Sequence, residues 1–270
     1  MYDVHIGLIA AILFISTTLA LEIGFRAGLG RKGSATEESK SQVNATQSSL
    51  LGILALLLAF TFSLSLQRFD TRSDAVVDEA NAIGTAYLRA QLLPAPLRKD
   101  VQALLRDYLD LRVQGSSMSM VHDEYASQMT QAAADHTALW GYARRSAEME
   151  PNPVTTGLFV QSLNELIDSF GRRDAAVSRH VPEVVLLLLY GTFLTSCVII
   201  GYACGIGGRR PSLVTYSMVA LIVALVFVIL DLDRPRRGLI EVSQKSLLDL
   251  QAAIRAESGA IAPPPKGASR

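Results

Sequence analysis

The chain has 270 residues, half of them hydrophobic and 19% charged, and its formal net charge is zero. These values exclude a disordered chain, and they show no excess of basic residues that would predict a nucleic-acid partner. The apolar residues are concentrated in four long runs. The runs are residues 4–25, 50–66, 184–206 and 213–230.

Each run is long enough, or nearly so, for a helix to cross a hydrocarbon core of roughly 30 Å. The first run lacks the basic flank of a cleaved signal peptide, so we expect it to be retained as a span. The sequence therefore predicts an all-α integral membrane protein with four transmembrane helices. We expect the lipid bilayer as its first partner and the inner cell membrane as its location.

The segments between the runs differ in character. Residues 26–49 are rich in Gly, Ser and Lys and predict a mobile loop. After the second run, apolar spacing typical of a helix continues to Pro94, which predicts a stalk. Three more helices are predicted at 97–113, 122–150 and 155–180.

These stretches predict a helical extramembrane domain inserted between the second and third spans. The tail contains a short amphipathic helix, for which Ser243 is the expected N-cap, followed by a disordered end. The predicted regions are 1–66 with two spans and a polar loop, 67–182 with the helical domain, 183–232 with two spans, and 233–270 with the tail.

The fourth run ends in the charged stretch "VILDLDRPRRGLIEV". Because spans alternate direction, this stretch and the exit of the second span lie on the same side of the membrane. We expect a charged collar there, in which carboxylates and guanidinium groups neutralise one another. Its predicted members are Asp70, Asp74, Asp78, Glu79, Asp231, Asp233, Arg234, Arg236 and Arg237.

These charges have two other interpretations. The arginines could simply lie among lipid headgroups while the carboxylates remain solvated. A calcium site is disfavoured because carboxylates at helical spacing lack the turn-forming glycine of a calcium loop, so no metal is predicted.

One face of the second helix carries only small or polar residues. Its members are Gly52, Ala55, Ala59, Ser63, Gln67, Asp70, Asp74, Asp78, Asn81 and Thr85. A helix facing lipid would carry leucine there, so this stripe must face protein or water. Close packing against neighbouring helices is one interpretation. The other is a pore, with Ala55, Ala59, Ser63 and Gln67 lining it and Phe60 or Phe62 narrowing it.

The sequence gives no sign of an enzyme or a cofactor. The four histidines, His5, His122, His136 and His180, are scattered singly, and no nucleophile or zinc motif is found. Cys197 and Cys204 are predicted to pack between helices. We expect Trp140, with Leu139 and Tyr142, to anchor the core of the helical domain.

Four stretches together resemble the bacterial membrane-protein family called bestrophin-like domain. They are "SSLLGILALLLAFTFSLSLQRFDTR", "EANAIGTAYLRAQLLP", "LNELIDSFGRRDAAVSRHVPE" and "LDLDRPRRGLIEVSQKSLLDL", and the resemblance covers residues 48–252. Bestrophins are pentameric ion channels with four spans, a helical cytosolic domain and a pore lined by the second span. The resemblance therefore implies a homo-oligomer that conducts inorganic ions, although the acidic calcium cluster of animal bestrophins is not found.

Two questions stay open at the level of the sequence. Arg26, Arg31 and Lys32 follow the first span, which by the positive-inside rule places the helical domain outside the cell. The basic tail and the resemblance place it in the cytosol. The alternative to a channel is a non-conducting membrane sensor or scaffold whose helical domain binds a partner.

Overall fold

The computed structural model describes residues 6–117, 122–234 and 239–260, and within them every regular element is helical. In chain order the α-helices are α1 (Ile6–Arg31), α2 (Glu37–Arg89), α3 (Ala95–Ser117), α4 (His122–Met149), α5 (Thr156–Ser178), α6 (Glu183–Ile206), α7 (Leu213–Leu232) and α8 (Lys245–Ala260). Short 3-10 segments at Lys32–Ser34 and Ala90–Leu92 follow α1 and α2.

Four of these helices, α1, α2, α6 and α7, are long and apolar enough to cross a membrane. They coincide with the four apolar runs of the sequence, so the prediction of an all-helical chain with four candidate spans is confirmed. The chain is a multi-pass membrane protein. Its longest helix is α2, whose 53 residues extend about 80 Å at 1.5 Å per residue.

The predicted loop at 26–49 is wrong for most of its length, because α1 continues to Arg31 and α2 begins at Glu37. Thr36 caps α2, since its Oγ1 accepts a hydrogen bond from the Ser39 N–H at 3.2 Å. Glu37 and Glu38 lie in the first turn, where the helix dipole favours carboxylates. These N-terminal signals outweigh the polar composition that suggested a loop.

The described helices form two compact units that share α2. The membrane unit comprises residues up to 69 together with 179–241, and the helical unit comprises residues 70–178 together with those from 242 onward. In the membrane unit, Leu54, Leu58, Leu189 and Phe193 belong to one apolar core. A separate core in the helical unit contains residues of five helices, including Ile83, Tyr108, Leu139, Phe159 and Leu247.

The tail helix is confirmed, and the structure adds where it packs. Ser243 Oγ accepts a hydrogen bond from the Lys245 N–H at 3.3 Å. The N-cap position itself is occupied by Gln244 and not by Ser243, because the carbonyl oxygen of Gln244 accepts from the Leu247 and Leu248 N–H groups. Leu247 and Ile254 of α8 are buried in the core of the helical unit, and α8 packs on α3. The disordered end is predicted at 259–270, but Gly259 and Ala260 belong to α8, and 261–270 lie outside the described residues.

Trp140 does not anchor the helical unit, contrary to the prediction, because its side chain is 43% exposed. The buried face of α4 consists of positions spaced by three and four residues, among them His136, Leu139 and Ala143. Trp140 is about 100° around the helix from Leu139, which turns it away from this face.

Inside the membrane unit, α1 and α6 approach so closely that only glycine fits at the contact. A Cβ atom on Gly24 would overlap the carbonyl oxygen of Val198, and one on Gly201 would overlap that of Leu21. Gly28 and Gly205 are equally confined one turn later in each helix. Because apolar side chains gain little from association in lipid, such backbone contact is a principal source of helix attraction there.

The order of these contacts also shows the direction of the two helices. Gly24 lies beside Val198, and Gly28 lies beside Tyr202, so residue numbers rise together along both helices. Helices α1 and α6 are therefore parallel. This is the arrangement expected of the first and third of four spans that alternate direction.

Replacing Gly201 with alanine is expected to lower the free energy of unfolding by about 1–3 kcal/mol, because the added methyl group forces α1 and α6 apart. Denaturation of the purified protein in detergent would measure the change. The matched control is Gly191→Ala in the same helix, where an added Cβ has no neighbour within 4 Å. Equal stability of the two variants would contradict the close contact.

Candidate functional site

The polar stripe of α2 is exposed along its whole length. All ten members, Gly52, Ala55, Ala59, Ser63, Gln67, Asp70, Asp74, Asp78, Asn81 and Thr85, are exposed in the single chain. None of them is covered by another helix of the same chain. The stripe is therefore available to water, to lipid or to another protein chain.

The opposite face of α2 is the one that packs into the membrane unit. Leu54, Leu58, Thr61 and Ser65 are buried there, at positions roughly opposite to the stripe around the helix. Thr61 donates its hydroxyl hydrogen to the carbonyl oxygen of Leu57 at 2.7 Å, so its burial leaves this group satisfied. Packing within the chain therefore uses one face of α2 and leaves the small and polar residues outward.

The two phenylalanines predicted to narrow a pore occupy different environments. The side chain of Phe60 is 61% exposed. Phe62 is partly buried and packs against the core of the membrane unit. Of the two, Phe60 is the one whose ring lies at the outer surface of the chain.

Glu79, which the sequence grouped with the exposed aspartates, lies apart from them. It is fully buried in the helical unit, and its carboxylate binds two arginines. Arg112 of α3 donates from Nε to Oε1 at 2.7 Å, and Arg173 of α5 donates from Nη1 to Oε2. Glu79 follows Asp78 by about 100° around α2, which is enough to turn it from the exposed face to the buried one.

The surroundings of this buried carboxylate complete a polar network. Arg173 donates a second hydrogen bond, from Nη2 to Oε1 of Gln244 at 2.9 Å. The guanidinium of Arg112 also lies 4.9 Å from the centre of the Phe170 ring. Two guanidinium groups face one carboxylate, so the network carries a net positive charge. Burial and the nearby carboxylate of Glu79 raise the pKa of Tyr108 well above its usual range.

His136 of α4 borders the same network. Its ring lies 5.1 Å from that of Tyr108 and 4.9 Å from that of Phe170, measured between ring centres. Its Nε2 is buried without a hydrogen-bond partner within the described part of the chain. Burial, reinforced by the positive charge of Arg112, lowers the pKa of His136 to about 4. The imidazole is therefore neutral at physiological pH.

A polar groove of about 370 Å³ lies between α2 and α5 in the helical unit. Asp78, Asn81 and Thr85 of the stripe form one wall. Gln161, Glu165 and Arg172 of α5 contribute to the other, and Arg172 Nη2 donates to Glu165 at 2.5 Å. Both signs of charge are present, so the groove has no single-sign field.

The two aspartates at the end of α7 are held by backbone groups. The carboxylate of Asp231 accepts hydrogen bonds from the N–H groups of Leu239 and Ile240, each at 2.9 Å. That of Asp233 accepts from the Val181 N–H at 3.0 and 3.2 Å. These bonds tie α7 to the chain that follows it and to the connection between α5 and α6.

Arg234 of the predicted collar is buried, whereas Arg236 and Arg237 lie outside the described residues. Pairing of these arginines with Asp70, Asp74 and Asp78 stays a prediction. Within the described ranges, no group of three His, Cys, Asp or Glu side chains is placed to hold a metal ion.

Comparison with known proteins gives a consistent result. A family model described as a Bestrophin-like domain matches residues 12–247. None of the curated proteins matches the sequence.

Solved structures include several similar folds. Two variants of a bacterial Bestrophin homolog from Klebsiella pneumoniae align with TM-scores of 0.67 and 0.62, each at 16% identity and covering 92% of this chain and 99% of theirs. A structure described as a membrane protein aligns with a TM-score of 0.62 at 17% identity, covering 94% of this chain and 100% of its own. At these identities the likeness shows a shared fold over nearly the whole length.

The buried histidine predicts a specific dependence of stability on pH. Unfolded chains bind a proton on histidine below about pH 6.5, whereas folded His136 does so only near its pKa of about 4. Lowering the pH from 6.5 to 4 should therefore reduce the free energy of unfolding, by at most about 3 kcal/mol from this group. Denaturation across this range should show a shallower dependence for His136→Phe, whose ring fits between the same two aromatic rings. Parallel curves for the two proteins would contradict the assignment.

Proposed function

Because the chain belongs to the Bestrophin-like family, we propose that it is an oligomeric ion channel whose pore is lined by the exposed stripe of α2. The observation that carries the proposal is the exposure of all ten stripe residues in the single chain, opposite a face of α2 that is buried. The solved structures of the Bestrophin homolog from Klebsiella pneumoniae support the proposal, because their fold is similar to that of this chain.

The composition of the stripe argues against a lipid-facing surface. In a bilayer, polar side chains face protein or a water-filled cavity, and small residues mark places where helices come close. The stripe contains small residues, Ala55, Ala59 and Ser63, and polar ones, Ser63 and Gln67. All four lie in or beside the apolar stretch 50–66 of α2. A water-filled path bounded by several copies of this face would satisfy every member of the set.

A single chain cannot enclose such a path with one helix face, so the proposal requires a ring of copies. Closed rings of identical subunits form when one interface repeats around an axis. The resemblance to bestrophins implies five subunits. Mass measurement of the purified protein in detergent would test this number directly.

The proposal also includes the position of each part of the chain relative to the membrane. We assign α1, α2, α6 and α7 to the inner cell membrane as spans, and the helical domain at 67–182 to the space outside the bilayer. The helical unit supports this assignment because it has a separate core and a buried ionic network of its own. The resemblance further implies that this domain is cytosolic.

Phe60 is the preferred residue for a hydrophobic constriction. Its ring is exposed beside Ala59, whereas the ring of Phe62 is engaged in the core. A ring of phenylalanines around a narrow path would hinder water and ions, since apolar constrictions gate pores by excluding water.

The carboxylates farther along the stripe would influence which ions pass. Asp70, Asp74 and Asp78 are exposed at intervals of four residues, so each copy contributes a row of negative charge. Rows of like charge bordering a path raise the local concentration of the opposite ion. The proposal therefore favours cations.

The polar groove between α2 and α5 favours the second candidate function, a non-conducting sensor or scaffold. Its volume of about 370 Å³ and its mixed charges would suit a polar partner. This candidate requires no pore and no ring, so flux and subunit number discriminate between the two functions.

Ion flux through purified protein in liposomes tests the constriction. Phe60→Ala should raise flux to several times the wild-type rate, because shortening the exposed ring widens the path and eases hydration. The matched control is Phe62→Ala, which should leave flux per folded channel unchanged and instead lower the free energy of unfolding by about 3 kcal/mol. An increase confined to Phe62→Ala would place the constriction elsewhere. Absence of flux from folded protein would favour the scaffold.

The charge argument is tested by replacing Asp70, Asp74 and Asp78 together with asparagine. The permeability ratio of sodium to chloride should fall at least about threefold, because the local field that concentrates cations is removed. Reversal potentials in bilayers measure this ratio. The control replaces three exposed aspartates outside the stripe, Asp100, Asp107 and Asp168. Equal effects of the two triple variants would contradict a path along the stripe.

A further inference from the structure

A crevice of about 380 Å³ lies in the membrane unit, between α2, α6 and α7. Ile200, Ala203, Val214 and Met218 give it a mostly apolar lining. Gln47 of α2 and Thr215 of α7 add polar groups to the same lining. The combination is that of a site for an elongated apolar group with a polar end.

The crevice lies at one end of the spans. Its lining comes from the last turns of α6 and the first two turns of α7, on either side of a tight turn. Gly208 reverses the chain there with a positive φ of 65°, a conformation that favours glycine. The next residue, Arg209, donates its N–H to the carbonyl oxygen of Cys204 at 3.2 Å. This bond joins the backbone of Arg209 to that of Cys204, which lines the crevice.

Basic side chains outnumber acidic ones two to one at this end of the unit. The basic residues are Arg26, Arg31, Lys32, Lys40, Arg209 and Arg210, and the acidic ones are Glu22, Glu37 and Glu38. Lys32 packs against Gly208, which brings the end of α1 to the same turn. Arg210 is engaged by Glu22 at 4.0 Å and by the ring of Phe25. Arg209 is exposed.

The first turn of α7 adds a third feature that favours an anion. Ser212 caps this 20-residue helix by accepting a hydrogen bond from the Thr215 N–H at 3.4 Å. The N–H groups at a helix N-terminus and the positive end of its dipole attract negative charge. Val214 and Thr215 belong to this turn and also line the crevice.

We propose that this crevice binds one anionic phospholipid. An acyl chain occupies the apolar crevice, and the phosphate lies at the N-terminus of α7 beside Arg209. The apolar lining distinguishes this ligand from a free phosphate, which would leave the crevice unused. The charge of the turn distinguishes it from a zwitterionic lipid, since basic residues at a membrane surface attract anionic headgroups. The site does not depend on ion conduction.

Native mass spectrometry of the purified protein, after removal of bound lipid by detergent exchange, tests the proposal. The probes are phosphatidylglycerol and phosphatidylcholine with identical acyl chains. Wild-type protein should bind phosphatidylglycerol at least about fivefold more tightly. Arg209→Gln should weaken binding of phosphatidylglycerol more than that of phosphatidylcholine and so reduce this preference, because both lipids carry the phosphate but only phosphatidylglycerol has a net negative charge.

A second variant tests the crevice itself. Val214→Trp should weaken binding of both lipids, because the larger side chain occupies the apolar space. Val214 is 78% exposed, so the fold should tolerate the change, and denaturation in detergent verifies this. Arg31→Gln is the matched control, since it removes a basic residue at the same end of the unit from α1 rather than from the turn that is bonded to Cys204.

Four results would overturn the proposal. Equal affinity of wild type for the two lipids would remove the anionic preference, and equal losses for Arg209→Gln and Arg31→Gln would indicate only diffuse attraction. Unchanged binding to folded Val214→Trp would exclude the crevice. Full competition by inorganic phosphate would identify a free anion as the ligand.

Discussion

The opposition of the two faces of α2 is the constraint on which the rest of the structure depends. This helix contributes to both units, so every turn must present one side to the chain it packs against. In the membrane unit that side is Leu54, Leu58 and Thr61. Because these residues face inward, the helical repeat determines which residues of α2 face outward. Within the apolar stretch 50–66, the small residues Ala55, Ala59 and Ser63 lie outward. Large apolar residues such as Leu56 and Phe60 are exposed beside them.

The spans around α2 are held by a different kind of contact. Water drives apolar side chains together, whereas lipid gives them little reason to associate. The membrane unit replaces that driving force with backbone proximity, through Gly24 and Gly28 on α1 and Gly201 and Gly205 on α6. Several of its hydroxyl groups donate within their own helices, as when Thr17 donates to the carbonyl oxygen of Leu13 at 2.8 Å. The buried Ser65 Oγ, by contrast, has no hydrogen-bond partner among the described residues. The tight α1–α6 pair leaves the crevice on the other side of α6, toward α7.

The sequence could predict the four spans because an apolar run of about 20 residues has only one stable arrangement in a bilayer. It could also predict the tail helix, because the spacing of its apolar residues is a local feature. The beginning of α2 was predictable in principle, since Thr36 followed by Glu37 and Glu38 is a typical helix start. A composition rich in Gly, Ser and Lys obscured that signal.

Long-range polar contacts were beyond the sequence. The arginines that bind Glu79 lie 33 and 94 residues away, and no periodic pattern links residues so far apart. The charges at the end of α7 indicated that partners must exist. Both Asp231 and Asp233 bind backbone N–H groups, which every residue except proline carries and which the sequence therefore does not reveal.

In the helical unit, the buried network around Glu79 also bears on which face of α2 is buried and which is exposed. Removing three charged groups from water is costly, and apolar residues of similar volume would often stabilise a fold as well or better. What apolar residues cannot do is fix the rotation of a helix as strictly, because their contacts have no direction. Glu79 on α2 must meet Arg112 on α3 and Arg173 on α5 with hydrogen-bond geometry, and Gln244 ties Arg173 to the segment before α8. A rotation of α2 would break these bonds and leave guanidinium groups buried without a carboxylate. We infer that the network sets the rotation of this part of α2, and with it the exposure of Asp74 and Asp78 on the opposite face.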